Sequence, residues 1–282
     1  MSTTLQPEYL FRIAPTPSGY LHSGNAYSFL LTEKLAKKYN GRILLRIDDR
    51  DAEHMRPEFV SDIFESLSWL GIKCAEGPEN EKDFEQNWSQ RHRLSYYNEV
   101  IEKLIIVADV FACNCSRKQL KEKNCTCYEK RIPLDTPDTA LRIGVPMHTE
   151  IAFRDELRGG IVIDLDEDVG SFIIRRRDRV QAYQLTSVVD DLFFGVNYIV
   201  RGTDLLPSTA AQIFLAQKME AYEFHKMKFV HHDLVTDDKG VKLSKSDGAL
   251  SLKSMRENGG SPEAIRAKFE EWFVQTIGPD RL

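Results

Sequence analysis

Two hydrophobic periods alternate along the 282-residue chain. Tyr9–Ile13 (YLFRI) is a short run of the aromatic and β-branched types that strands favour, and Pro15 and Pro17 stop it from continuing. From Tyr27 onward the spacing of Tyr27, Leu30, Leu31 and Leu35 is helical. The stretch IAPTPSGYLHSGNAY, Ile13 to Tyr27, is therefore predicted to be a stiff turn between a strand and a helix. A near-continuous apolar run, RILLRI from Arg42 to Ile47, follows the breaker pair Asn40-Gly41 and suits a strand covered on both faces. Strand, helix, strand is the unit of a parallel α/β sheet.

A second helix enters through Pro57, carries Phe59, Ile63, Leu67 and Leu70 on one face and stops at Gly71. Another is expected from about Ser89 to Ala108. Between Phe111 and Val180 the pattern shortens to ALRIGV, IAF, GGIVIDL and SFIIRR, separated by turn residues, which predicts a mostly β insertion. The α/β alternation then resumes with a helix over Ala182–Leu192, the strand NYIVRG, a helix over Pro207–Glu220 and the strand MKFVHH. The last segment, with Ser261 as cap and Pro262 in the first turn, predicts a final helix. The expected organisation is 1–108, first half of the α/β domain; 109–180, insertion; 181–249, second half; 250–282, helical tail.

Composition narrows this picture in two places. With 42% hydrophobic and 29% charged residues the chain is an ordinary globular protein. No apolar run approaches bilayer length and MSTTLQPEYLF lacks the pattern of a signal peptide, so a cytoplasmic location and no membrane partner are expected. A net charge of −5 argues against a uniformly basic coat. Cations nevertheless cluster around the cysteines (Arg117, Lys118, Lys121, Lys123, Lys130, Arg131) and in RRRDR (Arg175, Arg176, Arg177, Arg179). Such runs are either solvated faces or nucleic-acid contacts.

Two loops carry candidate chemistry. A glycine-containing strand-to-helix turn offers unpaired N–H groups and the positive end of a helix dipole to phosphate, with Gly19, Gly24 and His22 well placed. Taken alone it is equally a plain connection. The second loop, DDKGVKLSKSDGA (Asp237–Ala249), brings Lys242 and Lys245 together with Ser244 and Ser246, where flexible ammonium groups suit a phosphate chain. Together and in this order, PxGxxHxGN and KLSKS resemble the HIGH and KMSKS signatures of class I aminoacyl-tRNA synthetases.

FRIAPTPSGYLHSGNA, LLRIDDRD, LGIKCAEGP, SQRH, AYQLTSVVDD and VRGTDLL are similar, in order, to blocks of the glutamyl and glutaminyl branch, from about Arg12 to Ser246. The resemblance implies a Rossmann-like catalytic domain interrupted by a zinc-bearing insertion. It implies ATP-dependent activation of an amino acid, with Mg²⁺ accompanying ATP. His22, Gly24 and Asn25 would hold nucleotide phosphates, and Lys245, supported by Lys242, would follow the departing pyrophosphate. Arg12, Ala14, Thr16, Asp48, Tyr183 and Arg201 match the amino-acid site. Asp48 stands where glutamyl members usually have Glu, so L-glutamate is favoured with glutamine in play. The chain stops at Leu282, soon after the lysine loop, which resembles the truncated members of the branch that load glutamate onto queuosine in the anticodon of tRNA(Asp). The alternatives are a short synthetase charging the tRNA 3′ end and a catalytically silent, zinc-stabilised RNA-binding module. A monomer is the default.

Cys113-Asn-Cys115 and Cys125-Thr-Cys127 form two close pairs that suit a closed tetrahedral Zn²⁺ site. Reduced, unmetallated thiols are the plain alternative. The family resemblance adds Tyr128 as an alternative fourth ligand to Cys127, and a basic rim that would press on the tRNA acceptor arm. Cys74 has no partner at such spacing and is expected simply to be buried.

Overall fold

The computed structural model describes residues 8–50, 55–121, 125–235, 251–278 and 281. Nine strands and their helices form an α/β architecture among these residues. β1 (Leu10–Ile13) and β2 (Arg42–Leu45) flank the helix Ser23–Lys38. β3 (Val110–Cys113), β4 (Ala140–Ile143), β5 (Glu150–Asp155), β6 (Gly159–Asp164) and β7 (Phe172–Arg175) follow. β8 (Tyr198–Gly202) and β9 (Lys228–His232) complete the strands.

The main sheet has the order β2-β1-β8-β9-β5-β6, parallel except for the antiparallel edge pair β5–β6. Side chains alternate between its faces as the strand period requires. Phe11, Ile13, Ile43, Leu45, Tyr198, Val200 and Val230 pack into one core, closed by the helices Ser23–Lys38, Pro57–Leu70 and Pro262–Thr276. Leu10, Leu44, Ile199 and Phe229 belong to the other, closed by Leu94–Val107, Tyr183–Phe193 and Leu206–Lys218. The near-continuous apolar strands are therefore covered on both sides. No helix among the described residues is long and apolar enough to cross a membrane.

Two expectations are corrected. The segments IAF and GGIVIDL, placed in the insertion by their short strand pattern, form β5 and β6 and extend the main sheet: Asp155 pairs with Phe229 of β9, and Glu156 N–H donates to the Phe229 carbonyl. The separate three-stranded antiparallel sheet consists of β3, β4 and β7 alone. The helix expected from Ser89 begins at Leu94, because Ser89 is occupied elsewhere. Its hydroxyl donates to Asp49 Oδ2 at 2.5 Å and accepts from Arg91 N–H, which holds Gln90–Arg93 in a 3₁₀ turn. The second helix agrees closely with its pattern: it runs Pro57–Leu70, and Gly71, at φ 71°, supplies the left-handed stop.

The final helix is held across the first two. Arg266 donates from Nε and Nη2 to the Leu70 carbonyl, at 2.9 and 2.6 Å, and from Nη1 to Glu33 at 2.9 Å. Burial alone would raise the Glu33 pKa, but hydrogen bonds from Arg266 and Lys37 hold it below the usual carboxylate range.

Candidate active site and cysteine cluster

A cavity of about 490 Å³ opens at the C-terminal ends of β1 and β8. Chain direction across the sheet reverses between these strands, with β1 leading to β2 on one side and β8 to β9 on the other. In open α/β sheets such a switch point is where ligands bind. β1 contributes Arg12, and the turn after it contributes Ala14, Thr16 and, at the helix start, His22, Gly24 and Asn25. Asp48 enters from the end of β2, Tyr183 from the helix that follows β7, and Arg201 from β8. Nine sequence candidates outside the cysteine cluster thus meet at one cavity, whereas Gly19 of the same turn does not line it. Lys242 and Lys245 lie outside the described residues. The chain on either side of residues 236–250 does reach the site: Leu234 and Val235 line the cavity, and Ser251 forms an antiparallel bridge with His22. Leu252 N–H donates to the Leu21 carbonyl at 2.7 Å.

His22 is the N-cap of Ser23–Lys38. Its Nδ1 accepts from Gly24 N–H at 3.1 Å, while its own N–H donates to Asn25 Oδ1 at 3.1 Å, a reciprocal capping box. Because Nδ1 accepts, the neutral ring carries its proton on Nε2. The Gly24 and Asn25 N–H groups are both taken inside the turn, the latter by the His22 carbonyl. The helix start is thereby stiffened, and Asn25 acts on the backbone of His22.

Charge at the cavity floor is arranged in a ladder. Arg46 grips Asp48 through Nε–Oδ1 at 2.7 Å and Nη2–Oδ2 at 3.2 Å, and its Nη1 donates to Asp191 Oδ1 at 2.6 Å. Burial opposes the Arg46 charge, but Asp48, Asp191 and Asp190 more than offset it and hold its pKa well above the ordinary value. Arg12 Nε donates to the same Asp191 oxygen at 3.1 Å. Behind them Asp190 accepts from Arg93, Gln90 and the Tyr97 hydroxyl. Burial would raise its pKa; Arg93, Arg46 and Gln90 bring it below the carboxylate norm. Arg46, Asp190 and Asp191 were not singled out from sequence. Their signals were present as a charged residue inside an apolar strand and an acidic pair in an otherwise apolar helix.

Arg201 differs from the rest. It is 4% exposed, and none of its three guanidinium nitrogens has a hydrogen-bond partner among the described residues. Its guanidinium carbon stands 5.8 Å from the Phe229 ring centroid, which fixes it by cation–π contact. Burial, and then the neighbouring charge of Arg12, lower its pKa to about 10 despite Tyr183 and Asp191 nearby. A buried, unpaired cation facing a cavity is suited to an anion.

The chain matches, over residues 9–278, the family model described as tRNA synthetases class I (E and Q), catalytic domain. It belongs to that family. This synthetase domain is 33% identical over 273 residues to the glutamate–tRNA ligase of Aquifex aeolicus, covering 90% of this chain and 55% of the relative. It is 33% identical over 269 residues to glutamate–tRNA ligase 1 of Nitrosococcus oceani, covering 90% and 54%. The chain spans about half the length of the curated relatives it matches. Among solved structures, its fold resembles a glutamate tRNA ligase from Elizabethkingia meningosepticum in complex with its amino acid, with TM-score 0.74, 20% identity and coverage of 93% of this chain and 60% of that one.

The four clustered cysteines of this synthetase domain gather beside the three-stranded sheet. Cys113 ends β3, Cys115 lies two residues on, and Cys125 and Cys127 return at the start of the short helix Cys127–Lys130. Their sulfurs all lie within 4.8 Å of one another, with Cys113–Cys125 at 3.8 Å and Cys115–Cys127 at 3.5 Å. Zn–S bonds of about 2.3 Å in a tetrahedron put sulfurs about 3.8 Å apart, so this donor set fits such an ion. Burial, followed by hydrogen bonds with Cys127 and Cys125, pushes the Cys115 thiol up to about 12, which a bound cation would reverse. Cys127 is buried within the four, whereas Tyr128 is exposed and sets its ring edge-on to Phe111 at 5.4 Å. Cys127 therefore completes the cluster. Cys74, half-buried and outside it, has its thiol raised to about 12 by burial.

The arginine run braces the cluster. Arg177 donates to the Cys115 carbonyl at 2.5 Å, Arg175 to Leu134 at 3.2 Å and Arg179 to Asp135 at 2.9 Å. These bonds tie the end of β7 and the turn after it to the first cysteine pair and to the loop that follows the second.

Proposed function

We propose that this chain activates L-glutamate with ATP and passes the glutamyl group to a tRNA. The observation that carries the proposal is the charge balance of the cavity floor. Its buried cations are Arg12, Arg46 and Arg201, and its buried anions are Asp48 and Asp191. The anions are engaged by Arg12 and Arg46, which leaves one positive charge over, on Arg201. Glutamate carries one net negative charge and glutamine none, so glutamate is the amino acid that neutralises the buried floor; the remaining carboxylate of the cavity wall, Asp204, is exposed to solvent and screened. The names of the relatives, glutamate–tRNA ligases, support the same choice.

In the first step a glutamate carboxylate oxygen attacks the α-phosphorus of ATP and pyrophosphate leaves. Alignment and fixed cations supply most of the rate in such chemistry. Arg201 orients one carboxylate, Arg12 and Asp48 frame the remaining polar groups, and Nε2–H of His22 is a donor for phosphate oxygens. Lys242 and Lys245 are assigned to the departing pyrophosphate, and Mg²⁺ accompanies the nucleotide. In the second step a tRNA hydroxyl attacks the acyl carbon and AMP leaves. The cysteine cluster is proposed to hold a structural Zn²⁺ that rigidifies the insertion against the tRNA.

Two acceptors are carried forward. Family resemblance favours queuosine of tRNA(Asp), and the relatives' names favour the 3′-terminal adenosine. Glutamate-dependent ATP–pyrophosphate exchange tests the activation step, and its absence with and without tRNA would leave a silent RNA-binding module. Mapping labelled glutamate to the anticodon loop or the 3′ end then decides the acceptor.

A further inference from the structure

Behind Arg201, away from the cavity, lies a buried chain of hydrogen bonds that the proposed chemistry does not use. His231 and Arg201 are direct partners across the parallel strands β9 and β8, so their side chains leave the sheet on the same face. His231 Nδ1 lies 2.7 Å from Asp155 Oδ2, and its Nε2 lies 2.7 Å from the Thr209 hydroxyl. That hydroxyl also reaches the Leu205 carbonyl at 3.0 Å, and Leu205 lines the cavity. Asp155, His231 and Thr209 are all fully buried.

The protons can be counted. Asp155 accepts backbone N–H groups from Leu157 and Arg158 on Oδ1 and from His231 on Oδ2. With both oxygens acting as acceptors, Asp155 takes the His231 ring as a further donor, through Nδ1–H. Thr209 has one proton and two acceptors. With neutral His231 it donates to Nε2 and gives up Leu205. With protonated His231, Nε2–H donates to the Thr209 oxygen and the hydroxyl turns to Leu205, so every bond in the chain is made. The geometry accommodates both states.

The charges facing His231 decide between them. Asp155 on β5 favours the proton, while Arg201 on β8 and His232 on its own strand oppose it; the helix Leu206–Lys218 contributes the neutral Thr209. Phe153 and Phe229 close the remaining sides. Burial is the largest influence and, with Arg201, lowers the His231 pKa. Pairing Arg201 with a carboxylate removes one of the opposing charges.

Resting on the assignment of Arg201 as a carboxylate anchor, we propose that His231 is a positioning residue that takes up a proton when an anion occupies Arg201, coupling amino-acid binding to pH. The proton comes from solvent, and the Thr209 hydroxyl rotates from His231 to Leu205 as it arrives.

Two measurements test this. In the first, ¹⁵N-histidine spectra of the whole chain follow the titration of His231, assigned by its loss in His231→Gln. Arg201→Met should move that titration upward by on the order of one pH unit. A His231 titration indifferent to Arg201→Met, or a ring neutral down to the acid unfolding of both proteins, overturns the coupling whatever the ligand is. In the second, glutamate binding is measured calorimetrically near pH 6.5 in buffers of different ionisation enthalpy. Uptake of a fraction of a proton is expected, and His231→Gln should abolish it while glutamate still binds. Binding without buffer dependence overturns the inference and leaves glutamate activation standing. Failure of glutamate to bind sinks the proposed function, and the spectra still judge the link between Arg201 and His231. If His231→Gln does not fold, Thr209→Val, which removes the switching hydroxyl, replaces it in the calorimetric arm and should likewise abolish the uptake.

Discussion

Replacing Arg201 with methionine should make the ligand-free protein more stable and the site useless. Lowering the guanidinium pKa from its ordinary value to about 10 means that folding disfavours the charge. At about 1.4 kcal/mol per pKa unit the cost is about 3 kcal/mol. The sign follows from linkage: a cation whose pKa is depressed in the folded state destabilises that state at every pH where it remains charged. Methionine keeps much of the length over Phe229 without the charge, so urea denaturation of Arg201→Met without ligand should show a gain of about 1–3 kcal/mol. Saturating glutamate should stabilise the wild type and leave the variant unmoved, because a charge-assisted pair worth at least about 2 kcal/mol has gone. A variant that is less stable than wild type by 1 kcal/mol or more without ligand would refute the argument. Arg201 would then have a partner in the free protein, and the surplus charge that favours glutamate would vanish.

Other expectations follow from the same geometry. Metal analysis of the purified chain should return about one zinc per molecule, reduced sharply by Cys115→Ser; a metal-free protein with all four clustered thiols reactive would contradict the fit. Arg266→Met should cost about 2 kcal/mol in chemical denaturation, since it strips the Leu70 carbonyl of its guanidinium donors and leaves buried Glu33 with Lys37 alone; a loss below about 0.5 kcal/mol would show the anchor to be idle. Burial lowers the pKa of His231 and His232, so below the ordinary histidine value the unfolded chain binds protons that the ligand-free folded chain refuses. Stability should therefore fall as pH drops from 7 towards 5.5, by up to about 2.7 kcal/mol per pH unit for two sites. An unchanged denaturation midpoint over that interval would count against it.

Family resemblance named the cavity residues in advance, and the sequence pattern, which locates strand ends well, supplies the physical reason they lie together. Arg12, Asp48 and Arg201 sit where an apolar run breaks, at the edge of the sheet where a switch point opens. What the pattern lacks is pairing. β5 and β6 are recognisable as strands from their composition, but the choice between the small sheet and the main one is made by Asp155 meeting Phe229, 74 residues away in the chain. Gln90–Arg93 has the composition of a helix, and only the distant Asp49 removes it from one through Ser89. The balance of the cavity floor was hidden for a similar reason. Arg46 and Asp191 are visible as charged residues in apolar surroundings, yet which cation is left without an anion depends on side-chain distances that no spacing encodes. That the Cys127 sulfur lies within reach of the other three is likewise a matter of distances that spacing does not encode.

Lys34 of the first long helix meets Glu270 of the last across 236 positions of chain. Phe269, Phe273 and Ile277 cap a hydrophobic core built mostly from the first quarter of the molecule. During synthesis that surface stays bare until nearly the whole domain has left the ribosome, so the nascent first half emerges greasy and unfinished. Slow, late closure is the kinetic signature expected of contacts so remote in sequence, and a nascent chain held just short of Pro262 is the form in which a chaperone would find most to grip.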